Sequence, residues 1–206
     1  MYIPTQFRME ALPDMHAAIR ATRLATLVTM GPDGLVGTPL PFMLDAEDGE
    51  YGTLHAHVAK ANGQWHTGGQ EALVTFMGPD AYVTPSWYAT KQRDGKVVPT
   101  WNYVAVHAYG PVEFYEDAER LLDVVSRLTN LHEKPRPAPW AVGDAPETFI
   151  RSQLKGIIGV RIPITRLDAK HKLSQNRNAE DRGGVKAGLA ASPSPDDQHV
   201  AAMIVD

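Results

Sequence analysis

A chain of 206 residues, 43% hydrophobic and 21% charged, has the length and composition of one compact domain with at most a short appendage. The absence of cysteine excludes disulfides, thiolate metal sites and cysteine nucleophiles. A formal net charge of −4 speaks against a protein whose affinity rests on neutralising nucleic-acid phosphates, and no apolar run is long enough to cross a bilayer.

Leu12-Pro13-Asp14 opens a helix through Arg20, with proline and an acidic residue in the first turn where both are favoured. Leu24 to Thr29 reads as a strand. Gly31-Pro32-Asp33-Gly34 is a turn that returns the chain as a second strand from Leu35 to Leu44, so the two form a hairpin. Tyr51 to His57 predicts a third strand running into a helix over residues 59–66. Ala72 to Met77 and Ala81 to Thr84 read as two strands flanking a tight turn at Gly78-Pro79-Asp80. An aromatic turn follows at Pro85-Ser86-Trp87-Tyr88, then a polar loop from Lys91 to Lys96.

Trp101 to Tyr115 predicts a long strand, with Pro111 marking an edge or a bulge. Asp117 caps a helix whose apolar positions Leu121, Val124, Val125 and Leu128 recur at helical spacing. A proline-rich connection leads to a second helix at about Pro146 to Lys155 and a strand from Ile157 to Ile164. The tail after Ser174 is polar with weak helical character, and its last stretch is expected to be loosely ordered. Antiparallel hairpins with a few helices, and no regular βαβ alternation, predict an α+β protein built on a split antiparallel β-barrel with flanking helices.

Three segments could carry chemistry. His55-x-His57-Val58-Ala59-Lys60-Ala61-Asn62 joins a strand to a helix start, where free backbone N–H groups and the His57, Lys60 and Asn62 donors would suit a phosphate. The rival readings are structural histidines or a metal pair; the pair lacks a carboxylate or third histidine to complete it. Tyr82, Trp87, Tyr88, Trp101 and Tyr103 give flat surfaces with polar tips, suited to a planar ligand, a dimer seam or a core. Lys170 to Arg177 could contact a polyanion or form a solvated basic turn. No Ser-His-Asp set or paired-carboxylate site is visible, so any chemistry points to a cofactor.

Four motifs in order carry a resemblance. They are His57-x-Ala59-x-Ala61-Asn62-x-x-Trp65, Gly78 to Tyr88, Val98-Pro99-Thr100-Trp101-Asn102-Tyr103-x-x-Val106-His107, and Lys172-Leu173-Ser174-Gln175-Asn176-Arg177. In these the chain resembles the PaiB-type family of FMN-binding negative transcriptional regulators, from Tyr2 to about Leu189. The resemblance implies a pyridoxamine-phosphate-oxidase-like split barrel over residues 1–190 with a C-terminal tail at 191–206. It also implies two FMN molecules at a twofold homodimer interface.

Carried over by residue, Thr38, Pro39, Leu40 and Pro41 with His57, Val58, Ala59, Lys60 and Asn62 line one side of the flavin and its phosphate. Trp87, Tyr88, Trp101, Asn102 and Tyr103 approach from the partner or the cavity wall, and Lys172, Gln175 and Asn176 meet the phosphate or the ring edge. The implied function is an FMN-binding regulator in the cytoplasm; the opening Met1-Tyr2-Ile3-Pro4 lacks a leader pattern. The alternatives are an FMN-dependent oxidoreductase using NAD(P)H on a small substrate and, lower, a haem protein with His57 or His107 on the iron. DNA stays open as a partner, although neither the charge nor a recognition helix supports it. No membrane partner is expected.

Overall fold

A computed structural model describes residues Met1–Val205. The elements run α1 (Leu12–Ala21), β1 (Ala25–Gly31), β2 (Gly34–Leu40), β3 (Met43–Asp45), β4 (Thr53–Ala59) and β5 (Glu71–Val83). They continue with α2 (Ala89–Arg93), β6 (Thr100–Pro111), β7 (Glu113–Tyr115), α3 (Ala118–Glu133), α4 (Glu147–Leu154), β8 (Ile157–Pro163), β9 (Arg166–Lys172), α5 (Ala179–Ala190) and α6 (Pro195–Met203). The chain divides into two compact units. One holds Met1–Ala21, Met77–Val106 and Asp168 onward; the other holds Thr22–Phe76 and His107–Leu167. Strands β5 and β6 each run from one unit into the other.

In the second unit, β1 pairs antiparallel with β2 from Ala25 opposite Leu40 to Gly31 opposite Gly34, the predicted hairpin. On its other side β1 pairs with the first half of β5. The predicted strand from Leu35 to Leu44 breaks at Pro41, which has no N–H to give a ladder, so β2 and β3 are separate. A four-stranded sheet in the order β3-β4-β8-β7 completes the unit. On one of its faces Leu54, Ala56, Val58, Ile158, Val160 and Ile162 are fully buried. The other face carries His55, His57, Gly159, Arg161, Glu113 and Tyr115, set side by side by the register. Helix α3 lies against β4 and β8 and packs Leu121 on Tyr115 with Leu154 of α4. Its N-cap is the predicted one: the Asp117 carboxylate accepts from Arg120 N at 2.8 Å.

In the first unit the strand order is β5-β6-β9. The two strands expected around Gly78-Pro79-Asp80 are instead one strand of 13 residues. Burial falls on even positions at Ala72, Val74 and Phe76 and on odd positions at Ala81 and Val83. The buried face therefore changes between Phe76 and Ala81 along this one strand. Part of the expected polar loop is α2. The expectation of a loosely ordered last stretch is overturned: α5 and α6 are capped by Asn178 and Ser194, and Val185, Leu189, Val200, Ala201 and Ile204 form a core with Tyr88 and Leu173. Its apolar residues are spaced between alanines and glycines, which hides the packing face from a periodicity reading.

Candidate functional site

The predicted residues fall into two groups by unit. Thr38 to Pro41 and the residues from His57 to Asn62 belong to the second unit. Trp87, Tyr88, Trp101, Asn102, Tyr103, Lys172, Gln175 and Asn176 belong to the first.

In the second unit the expected helix at 59–66 is a turn followed by a five-residue 3-10 helix, Gly63–Thr67. Three backbone donors of this segment are engaged within the fold: Lys60 N bonds Gly156 O at 2.8 Å, Asn62 N bonds Ala59 O at 2.8 Å, and Gln64 N bonds Asn62 Oδ1 at 3.0 Å. Asn62 also donates through Nδ2 to Thr38 Oγ1 at 3.1 Å, so two predicted residues do meet, with Asn62 tying the turn to β2. Lys60 is exposed and paired with Glu116, and its carbonyl accepts from Trp65 Nε1 at 3.0 Å. Val58 points into the core. Leu40 is buried, Pro41 half-buried and Pro39 exposed.

His57 stands opposite Gly159, over which the Tyr115 ring lies, on the sheet face packed by α3. Burial pushes its imidazole below the ordinary histidine range, and Nδ1 has no partner. A neutral imidazole here offers a hydrogen bond but no charge to a phosphate.

Gln64, which sequence reasoning passes over, organises this region. It is buried, and its Nε2 reaches Leu27 O at 3.3 Å, Thr29 Oγ1 at 3.0 Å and Val36 O at 3.2 Å. Thr67 Oγ1 adds bonds to Thr29 Oγ1 at 2.9 Å and to Gln64 O at 2.7 Å.

In the first unit the basic segment is a built feature rather than a solvated turn. Lys170 is buried at 7% exposure, with its ammonium 5.0 Å from the centre of the Tyr103 ring and 5.9 Å from those of Tyr2 and Phe7. Lys172, two residues on along β9, donates to Thr100 Oγ1 and Trp101 O. Burial, and then the charges of Lys170 and Arg177, push its ammonium below the ordinary lysine range. The Arg177 guanidinium lies 4.5 Å from the centre of the Tyr88 ring. Among the described residues no carboxylate forms an ion pair with Lys170, Lys172 or Arg177.

The turn between these cations is tightly specified. Ser174 adopts a left-handed φ of 65°, uncommon for a residue with a side chain. Its hydroxyl exchanges bonds with Asn102 at 3.0 and 3.2 Å, and both residues are buried. Gln175 folds back, its Oε1 accepting from Leu173 N and its Nε2 donating to His171 O, each at 2.7 Å. Asn102 and Gln175 thus hold the turn, while Asn176 is exposed with no bond from its own side chain. Trp101, 52% exposed, meets Tyr82 edge-on at 5.9 Å between ring centres. The Tyr88 hydroxyl is buried, and burial pushes its pKa up while the adjacent Arg177 guanidinium draws it down.

Three cations that no carboxylate of the described residues ion-pairs, with the exposed Trp101 indole on the same unit, fit a group that is both anionic and planar, such as a phosphorylated flavin. A family model described as "Putative FMN-binding domain" matches residues 1–166. Protease synthase and sporulation protein PAI 2 of Bacillus subtilis is 33% identical over 208 residues, covering 100% of this chain and 97% of that protein. The chain belongs to this FMN-binding family. FMN is therefore its family cofactor.

An Aspergillus fumigatus protein is 37% identical, across 92% of this chain and 90% of its own. The FMN-binding fold also resembles that of the flavocytochrome Anf3 of Azotobacter vinelandii, with a TM-score of 0.60 and 15% identity over 86% of this chain and 75% of that one. The FAD and haem binding protein of Mycobacterium smegmatis gives 0.60 and 16% over 85% and 78%. Those identities establish the arrangement of antiparallel sheets and flanking helices and nothing finer.

Proposed function

We propose that this chain is a homodimeric FMN-binding protein of the PaiB type, with a pyridoxamine-phosphate-oxidase-like split barrel and the flavin seated at the dimer interface. The observation that carries the reading is the uncompensated cluster of Lys170, Lys172 and Arg177 in a chain of net charge −4. Lys172 and Arg177 hold the phosphate, Lys170 reinforces their field from its aromatic surround, and Trp101 and Tyr103 face the ring system. Asn102, Ser174 and Gln175 fix the turn that aims Lys172. The family likeness implies a second set of contacts from Thr38 to Pro41 and from His57 to Asn62.

Bound FMN would supply one- or two-electron redox chemistry; the residues named here bind and orient it. A second copy accounts for exposed apolar side chains that a monomer leaves in water, among them Trp101 with Tyr82 and, on edge strand β2, Leu35 at 73% exposure. The regulator role is taken from the PaiB likeness. With this net charge it runs through the flavin-bearing dimer rather than through a recognition helix of its own.

The test is the purified protein's absorbance spectrum, with mass identification of any released chromophore and light scattering for the assembly. Two flavin bands, released FMN and twice the chain mass are expected. A Soret band or a colourless monomer that ignores added FMN contradicts the reading, and bleaching of the flavin by NAD(P)H would move the assignment to the oxidoreductase alternative.

A further inference from the structure

Helix α5 carries Gly183, Gly184 and Gly188 among its 12 residues, an unfavourable composition because glycine is the poorest helix former short of proline. Two of the three have a reason. A Cβ added at Gly184 would stand 2.0 Å from the Trp87 carbonyl oxygen, and one at Gly188 would stand 2.3–2.5 Å from three atoms of the Trp87 indole. These two positions share one helix face, so Trp87 lies directly on bare helix backbone. Gly183 has nothing within 4 Å of its Cβ position.

One turn earlier on the same face stands Asp181, 2% exposed. Its carboxylate accepts from Thr90 N and from Thr90 Oγ1, each at 2.8 Å, and from Asn178 Nδ2 at 3.1 Å. Between these anchors Tyr88 packs among Val185, Leu189, Val200, Ala201 and Ile204. The four residues from Trp87 to Thr90 are thus held at both ends and in the middle by α5, with α6 behind it. Both helices lie beyond residues 1–166 that the family model matches. Arg177, one residue before the Asn178 cap of α5, rests against the Tyr88 ring, which ties the cation cluster to the same helix.

We propose that α5 is the positioning element of the flavin seat: Gly184, Gly188 and Asp181 fix the aromatic turn and, through Tyr88, the Arg177 guanidinium, and so set FMN affinity without touching the cofactor. This rests on the FMN reading above. None of the three is a catalytic residue; they act through Trp87, Tyr88 and Arg177.

The experiment compares Gly188→Ala with Gly183→Ala in the full-length protein. Both changes favour the helix, and only the first meets the indole. The readouts are equilibrium FMN titration and amide hydrogen exchange over residues 85–93. Gly188→Ala is expected to weaken FMN at least tenfold and to speed exchange in that segment, with Gly183→Ala within twofold of the parent on both measures. A folded Gly188→Ala variant with parental affinity or parental exchange overturns the proposal.

If the parent protein itself ignores FMN, the functional reading fails and the claim on affinity falls with it. Exchange still judges the positioning role: unchanged rates in Gly188→Ala refute it. Should Gly188→Ala not fold, Asp181→Asn takes its place, with faster exchange around Thr90 and about threefold weaker FMN expected; parental values in both overturn the proposal.

Discussion

Lys172→Met is expected to weaken FMN binding by about 10- to 100-fold while leaving the flavin-free protein as stable as before or more so. The two effects have opposite signs because the ammonium is unfavourable until an anion arrives. It is half-buried, it faces Lys170 and Arg177, and its bonds go to a hydroxyl and a carbonyl rather than to a carboxylate. A charge-assisted contact to phosphate contributes roughly 1.5–3 kcal/mol, and about 1.4 kcal/mol is tenfold in affinity. Paired FMN titrations and thermal melts of the parent and variant check this; a variant that loses stability and keeps its affinity would make Lys172 a structural lysine.

The same arrangement fixes a pH dependence. Burial and two like charges lower the Lys172 pKa, so in the flavin-free fold the proton leaves below the ordinary lysine range. In that alkaline interval the unfolded chain binds more protons than the fold, so the apoprotein gains stability as pH rises while FMN affinity falls. A phosphate monoester dianion takes up a proton at about pH 6, so affinity also declines below that point. The predicted profile is a plateau with two shoulders. Lys172→Met should remove the alkaline shoulder that this lysine contributes and keep the acidic one.

Gln64→Ala is expected to cost about 2–4 kcal/mol of stability, lowering Tm by roughly 5–12 °C for a chain of this size. The Gln64 Nε2 serves two carbonyls and the Thr29 hydroxyl from a buried position. Truncation removes all three bonds and opens a cavity beside them, although Thr29 keeps its bond from Thr67. Gln64→Glu replaces the donating NH2 by an oxygen that faces the same acceptors, and should cost at least as much. Differential scanning calorimetry decides; a change in Tm below about 2 °C in both variants would mean that water or another side chain takes over those acceptors.

The strands and helices were legible wherever one local rule governed them. The turn from Gly31 to Gly34 and the Asp117 cap each depend on residues adjacent in sequence. The single strand expected from Trp101 to Tyr115, by contrast, is two, β6 and β7, which part after Pro111 and join different sheets. The errors arise where a distant partner overrides the local signal. Gly78-Pro79-Asp80 reads as a turn, yet the segment stays in the strand, with Gly78 closely backed by Val104. Helix α5 looks weak in part because Gly184 and Gly188 leave room for Trp87.

The site divides in the same way. Lys172 could be singled out from its basic run, but that its charge goes uncompensated depends on which acids stay away, and no linear pattern records that. Asn62, Asn102 and Gln175 stand out as polar residues in motifs. The structure gives each of them hydrogen bonds that hold a turn, a role that residue type cannot separate from ligand contact. Gln64 left no signal at all, since a buried glutamine reads as an ordinary polar residue between Gly63 and Trp65.

The central claim is that the cations of the first unit seat the phosphate of a flavin. The most direct measurement is a parallel titration of the flavin-free protein with FMN and with riboflavin, which differ only in that phosphate. FMN binding at least tenfold tighter than riboflavin, with the difference shrinking as salt is added, is the predicted result. Equal affinities, or no binding of either, would contradict it.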